Sequence, residues 1–321
     1  MIASDIPYRQ ARLSWIFFLS TTALLFALCL KGGFWGYIGE HPLQLPAGFF
    51  LNGSQQVPGG RFIVLFFLTW ALCVLLILVF PRKIDGKRSF AIILFCSLLF
   101  RIALIPHEPS DDVNRYLWEG KLLLQGINPY VYAPDDIALN PIAADDPFHQ
   151  SINHKDLPAA YPPLILYIFA VSAWVSYGTF IIKVVMILFD MGTIVFILKL
   201  LEHRHLNLRW ALLYAANPVI LYSFAGQGHF DVIQNFFLTG SLLMYERKSW
   251  LLMFLFAGFA VQSKYVAAVA VPFLINRKNF RYAAASVMVI ILPYLFLADT
   301  EFTRFFYSLK RFGEEYAFNG S

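Results

Sequence analysis

Residues Arg101 to Tyr132 read RIALIPHEPSDDVNRYLWEGKLLLQGINPYVY, and here an apolar block gives way to ionisable chemistry. The stretch starts in the last turn of the apolar block and breaks at Pro106 and Pro109. A short helix follows, for which Ser110 has the chemistry of an N-cap, with Asp111 and Asp112 in the first turn where the helix dipole favours acids. Asp112, Arg115, Tyr116 and Glu119 recur at spacings of three and four and so share a face, while Val113, Leu117 and Leu124 form an apolar side. Gly126 and the Asn128-Pro129 pair stop the helix. The spacing thus predicts a charged amphipathic helix directly beneath an apolar segment.

Working outward, composition sets the class. Hydrophobic residues make up 59% of the 321-residue chain and charged ones 14%, well outside the soluble average. The apolar residues fall in long blocks without alternation. In lipid only helices or closed barrels satisfy their backbone, and these runs are too long and unalternating for barrel strands. The expected fold is an all-α polytopic integral membrane protein, a helical bundle with a large outer loop that carries a juxtamembrane helix. The net charge of +5 sits in short loops between spans, so loop orientation explains it and a nucleic-acid partner is not indicated. Cys29, Cys73 and Cys96 lie inside apolar blocks, which argues against a disulfide framework and offers no metal-type spacing. The bulky Leu28 before Cys29 makes the first block an uncleaved anchor rather than a signal peptide.

Spans are expected near 13–30, 62–80 and 89–105. Arg82, Lys83, Lys87 and Arg88 lie between the second and third, so the amino terminus is placed inside and residues 106–160 outside. That outer stretch carries Glu108, Asp111, Asp112, Glu119, Asp135, Asp136, Asp145, Asp146 and Asp156 against only Arg115, Lys121 and Lys155. Beyond it, simple alternation of apolar blocks would put Arg204, Arg209, Arg247 and Lys248 outside. Two changes repair this. Tyr161-Pro162-Pro163 opens a segment that dips into the outer leaflet and returns. The block 250–275, long for one crossing, breaks near Gln262–Lys264 into two half-helices. The count becomes about seven full spans and two re-entrant pieces. A single domain is expected, with N-terminal spans 1–105, outer loop 106–160 and core spans 161–321.

Several residues could carry chemistry. One of Asp111 and Asp112 could take a proton from an acceptor hydroxyl; the plainer reading is a helix cap that keeps the loop wet. Gly226-Gln227-Gly228-His229-Phe230-Asp231 could bring backbone amides, a donor and an acceptor to an anion, or form a tight polar turn. Lys264 and Asp190 lie deep in apolar sequence, where ionisable groups are costly and count as site candidates. A phosphate would suit Lys264, but an internal pair of Asp190 with Lys183 or Lys264 is the alternative. Arg101 could serve a phosphate or snorkel to the interface. Tyr161-Pro162-Pro163-Leu164 could also simply start a helix.

The run from Asp112 to Gly120, then Gly126-Ile127-Asn128-Pro129-Tyr130, resembles the first outer loop of GT-C glycosyltransferases. Their bacterial mannosyltransferase-like branch has D-x-x-R-Y-x-W-D/E-G followed by G-x-N-P-Y. Tyr161-Pro162-Pro163-Leu164, Gly226-x-Gly228-His229-x-Asp231 and Ser263-Lys264-Tyr265 are similar to later motifs of that branch. The resemblance implies a GT-C-like helical bundle that transfers a hexose, mannose first, from a polyprenyl-phosphate donor with inversion. The acceptor would be a lipid-linked or surface glycan (a glycan or glycolipid) at the outer face of the inner membrane. It implies Asp112 as base with Asp111 as runner-up. Lys264, His229 and Arg101 would hold the leaving phosphate, and Arg115, Tyr116, Glu119, Tyr161 and Asp231 would bind sugar or acceptor. No cofactor is required; a divalent Mg or Mn could sit at Asp111 and Asp231, though no spacing demands one. Members continue through further spans where this chain reads Phe318-Asn319-Gly320-Ser321, so a carboxy-terminal part supplied by a separate chain is a further expectation. The rivals are a lipid or solute transporter, with Asp190 and Lys264 as a coupling pair and the outer loop as a gate, and an inactive truncated scaffold.

Overall fold

Helix is the local answer wherever the apolar runs are unbroken, because each backbone N–H then finds its acceptor inside the segment. The computed structural model describes residues 6–30, 43–44, 56–57, 60–81, 84–295 and 310. Its longer helices are Ile6–Leu30, Gly60–Val79, Gly86–Leu104, Asp112–Leu124, Pro163–Val175, Thr179–His203, Asp231–Glu246, Trp250–Ser263 and Ala283–Leu295. Against the all-α expectation stands one two-residue antiparallel ladder, with Leu43 opposite Val57 and Gln44 opposite Gln56. The Phe318–Ser321 ending lies outside the described residues.

Thr179–His203, at 25 residues, is long and apolar enough to cross a membrane. At 1.5 Å per residue it spans about 37 Å. Pro163–Val175 has 13 residues, roughly 20 Å, which falls short of a ~30 Å hydrocarbon core.

Two compact units divide the chain: Met1–Glu108 with Ile197–Gln227, and Pro109–Phe196 with Gly228–Ser321. The first unit buries Phe18, Leu25, Cys73, Leu76, Phe80, Ile93 and Phe100. Phe18 and Phe80 meet edge to face at 5.3 Å. The three cysteines are free and buried. The apolar block 210–225 does not form one helix. It breaks at Asn217-Pro218, where Asn217 is extended ahead of the proline and its Oδ1 accepts from Val219 N at 2.9 Å. A residue before proline is steered away from the helical region, which the apolar pattern does not reveal. The block then ends in a π turn, Leu221–Gly226.

In the second unit the Asp112–Leu124 helix lies directly on Pro163–Val175. A Cβ on Gly120 would stand 2.5 Å from the Phe169 carbonyl oxygen, so glycine is what allows the two backbones to touch. The helix starts with the Asp111 carboxylate accepting from Asp112 N at 3.1 Å. The cap is therefore Asp111, with the Ser110 hydroxyl more distant at 3.4 Å. The helix ends in a Schellman turn: Gly126 has φ +74°, its N–H reaches Leu123 O and that of Ile127 reaches Leu122 O. Trp118, Leu122, Leu139, Ala143 and Ile152 close a small core between this helix and the outer loop. Asp231–Glu246, Trp250–Ser263 and Ala283–Leu295 pack through glycines as well. A Cβ on Gly240 would meet Phe256 at 2.4 Å, and one on Gly258 would meet Val289 at 2.8 Å.

The helix that begins at Trp250 stops at Ser263, and Lys264 is extended, at φ −157° and ψ 126°. A 3-10 stretch, Tyr265–Ala270, follows it. The backbone thus breaks where the length of the apolar block led us to expect a break.

Candidate functional site

Two features of the second unit bring distant residues together. The first is Gly228, at φ +78°, a conformation that residues with a Cβ adopt only at a cost. An added Cβ there would lie 3.0 Å from Val113 Cγ2 and 3.6 Å from Lys183 Cγ. This turn delivers His229 to the start of the Asp112–Leu124 helix, where its Nδ1 stands 3.4 Å from Asp112 Oδ2. Both side chains are about one-third exposed, at 33% and 32%, so the pair is open to a ligand.

The second feature is the break at Lys264. Its ammonium contacts Asp231 Oδ1, with exposures of 44% and 37%, and lies 5.8 Å from the centre of the Phe230 ring. Asp231 is the first residue of its helix, where the dipole favours a carboxylate. The internal pairing weighed for Lys264 is made with Asp231 rather than Asp190. That removes the Asp190–Lys264 pair on which the transporter reading rested.

An aromatic floor joins these features. Tyr116 stacks on Phe169 at 4.4 Å and meets Phe230 edge-on at 5.7 Å. Tyr161 meets Phe230 at 5.0 Å, and its carbonyl accepts from the Tyr130 hydroxyl at 2.5 Å. Phe230 is therefore shared between the Lys264 side and the Asp112 helix.

Behind the floor, Arg115 and Glu119 are buried, each 2% exposed, and bonded at 2.8 Å. The remaining guanidinium N–H groups donate to the carbonyls of Asn153 (3.3 Å), His154 (2.9 Å), Leu157 (2.7 Å) and Pro158 (3.1 Å). All five donors of the side chain are used inside the protein. Arg115, expected to touch sugar, instead pins the returning limb of the outer loop, and Glu119, expected there too, is bonded to Arg115. That limb carries Asn153, whose Nδ2 donates to Asp112 Oδ1 at 2.5 Å.

Asp112 is held below the usual carboxylate range, by the hydrogen bond from His229 first and then by that from Asn153, against the opposing effect of burial. Burial pushes Glu119 up to about 7 despite Arg115. Asp111 is exposed and occupied as the cap. Arg101 belongs to the first unit; it is fully buried, and its Nη1 donates to Ser97 O at 3.0 Å and Ala215 O at 2.9 Å. Among the described residues no three His, Cys, Asp or Glu side chains gather as a metal site.

The sequence model of the family described as alpha-(1->6)-mannopyranosyltransferase, N-terminal domain, matches residues 51–277. The chain belongs to this mannosyltransferase family. The matched range includes Asp112, Asn153, His229, Asp231 and Lys264, so the assembled site lies inside it. No curated protein and no solved structure matches the chain. Membership of the mannosyltransferase family supports glycosyltransferase activity. Of the residues expected in the site of this member of the mannosyltransferase family, the fold gathers Asp112, Tyr116, Tyr161, His229, Asp231 and Lys264 around the floor. Asn153, Phe169 and Phe230 are the additions. Asn153 lies in a polar run of the loop with no motif spacing to mark it.

Proposed function

We propose that this mannosyltransferase-family chain moves a hexose, mannose first, from a polyprenyl-phosphate donor to a hydroxyl of a lipid-linked or surface glycan. The reaction would run with inversion at the outer face of the inner membrane. The linkage in the family's description makes a 6-hydroxyl, a primary alcohol, the natural acceptor. The observation that carries the reading is the ring of Phe230, which meets Tyr116 of the Asp112 helix at 5.7 Å and lies 5.8 Å from the Lys264 ammonium, with Asp112 and Lys264 both part-exposed.

In this mechanism the acceptor oxygen attacks the anomeric carbon while its proton passes to Asp112. The bond from that carbon to the phosphate oxygen breaks, and its electron pair leaves with the lipid phosphate. A low carboxylate pKa keeps Asp112 ionised at neutral pH. It also means that the proton moves as the new bond forms rather than beforehand, since an alcohol is far too weak an acid to give it up first. The leaving phosphate gains a negative charge, and Lys264 stands ready to meet it, as a preorganised cation lowers the cost of charge that builds in the transition state. Asp231 holds that ammonium in place until the phosphate arrives. His229 Nδ1 faces Asp112, which leaves the opposite ring nitrogen for donor or acceptor. Arg101 is given no part in this scheme: it is fully buried, and its Nη1 donates to the carbonyls of Ser97 and Ala215.

The test is Asp112→Asn, assayed for turnover of a polyprenyl-phosphate sugar in proteoliposomes. Asparagine keeps the size of the side chain, so thermal stability should hold while turnover falls about 10²–10⁴-fold. Unchanged turnover would remove Asp112 as the base and leave Asp111 as the remaining first-turn carboxylate.

A further inference from the structure

We infer that Asn153 is a positioning residue for the transfer: it binds one oxygen of Asp112 so that the other is presented to the acceptor, and Arg115 anchors the loop that carries it. This rests on Asp112 being the base. The two oxygens of Asp112 are in different surroundings. Oδ1 takes the Asn153 amide at 2.5 Å, while Oδ2 has His229 Nδ1 at the longer distance of 3.4 Å, on the part-exposed side where an acceptor hydroxyl would approach. A carboxylate held at one oxygen cannot rotate about its terminal bond without losing that contact, and such orientation is a large part of catalytic efficiency.

The loop is built to deliver that contact. His154 sits at φ 45°, a left-handed conformation uncommon for residues other than glycine. It turns the chain so that four carbonyls between Asn153 and Pro158 converge on the single guanidinium of Arg115. Asn114 Nδ2 adds a tie to Ser151 O at 3.2 Å. Asn114 and Arg115 both belong to the helix that carries Asp112, so one rigid element fixes the carboxylate and its partner together. Burial of an uncompensated loop would not require this convergence, and the amide would not need to face a half-open carboxylate.

The experiment is the pH profile of turnover for wild type, Asn153→Ala and Asn153→Asp in proteoliposomes, with thermal stability of each. The charged and titratable neighbours of Asp112 are His229, Arg115, Tyr116, Tyr161 and the adjacent Asp111, and none is altered. Losing the amide donor should lower kcat about tenfold or more while donor KM holds. It should also move the acid limb of the profile upward by on the order of one pH unit, and Asn153→Asp should move it further by adding a like charge. An acid limb that stays in place in both variants, or a kcat within twofold of wild type, would overturn the positioning role. Asn153→Asp is nearly isosteric and keeps the test decisive if Asn153→Ala does not fold. Asp112→Asn runs in parallel. Lost turnover there with an unmoved Asn153→Ala profile would sink the positioning role alone, whereas full turnover by Asp112→Asn would sink the base itself.

Discussion

Gly228 and Val113 approach so closely that a methyl group on the glycine would stand 3.0 Å from Cγ2 of the valine. The glycine also holds φ +78°. Gly228→Ala therefore meets both a backbone conformation that costs roughly 1–2 kcal/mol for a residue with a Cβ and a neighbour that must give way. His229 follows in sequence, so the relief of this strain should displace it from Asp112. The expected outcome is a melting temperature lower by several degrees and turnover reduced at least tenfold. Gly226→Ala is the control, since a Cβ there would make only ordinary contacts of 3.7 Å or more. Equal behaviour of the two variants would show that the turn does not depend on Gly228.

Lys264→Met separates a chemical from a structural role for the lysine. The Lys264–Asp231 pair is 44% and 37% exposed, and ion pairs so open contribute only about 0–1 kcal/mol to stability. Methionine preserves most of the length and apolar bulk. Stability should therefore stay within a degree or two, while turnover falls about 10²–10³-fold, the scale for removing one donor to developing charge. A variant that unfolds without a specific kinetic defect would make the lysine a structural residue.

Glu119 gives a pH signature to stability. Burial raises it from its ordinary 4.5 to about 7 in the fold. Between those values the folded protein holds a proton that the unfolded chain has released, so stability declines as pH rises from about 4.5 to about 7 and is level beyond. Glu119→Gln removes the titration but keeps an oxygen for Arg115 Nε. Its melting temperature should change less than that of wild type across the same window. Parallel curves would mean that Glu119 stays charged in the fold.

The helices were legible in the sequence because their apolar runs are long and their stops are chemical: Gly126 in a Schellman turn, and a break at Lys264 forced by length. The division at Asn217-Pro218 was not, because the apolar pattern runs straight through it. Asp112, His229 and Lys264 were legible as ionisable groups beside or within apolar sequence, where such groups carry a cost. Their partners were not. Lys264 turns to Asp231 instead of Asp190, and Arg115 is consumed by loop carbonyls, because loop closure depends on where residues 151–158 return. Helical periodicity says nothing about that return. Asn153 was missed for the same reason.

Gly120 has a consequence for motion. With no side chain between them, the Asp112–Leu124 helix and Pro163–Val175 pack backbone to backbone, and Tyr116 stacks on Phe169 across the same seam. Asp112, Tyr116 and Phe169 therefore travel as one block, to which Arg115 fastens the loop. Lys264 stands on the opposite footing, at a residue where one helix has ended and the next has not begun. Any opening that admits the proposed lipid-phosphate donor should arise on the lysine side of the ring of Phe230. Hydrogen exchange should be fast at residues 265–266, just past the helix end, and slow from Tyr116 to Leu122.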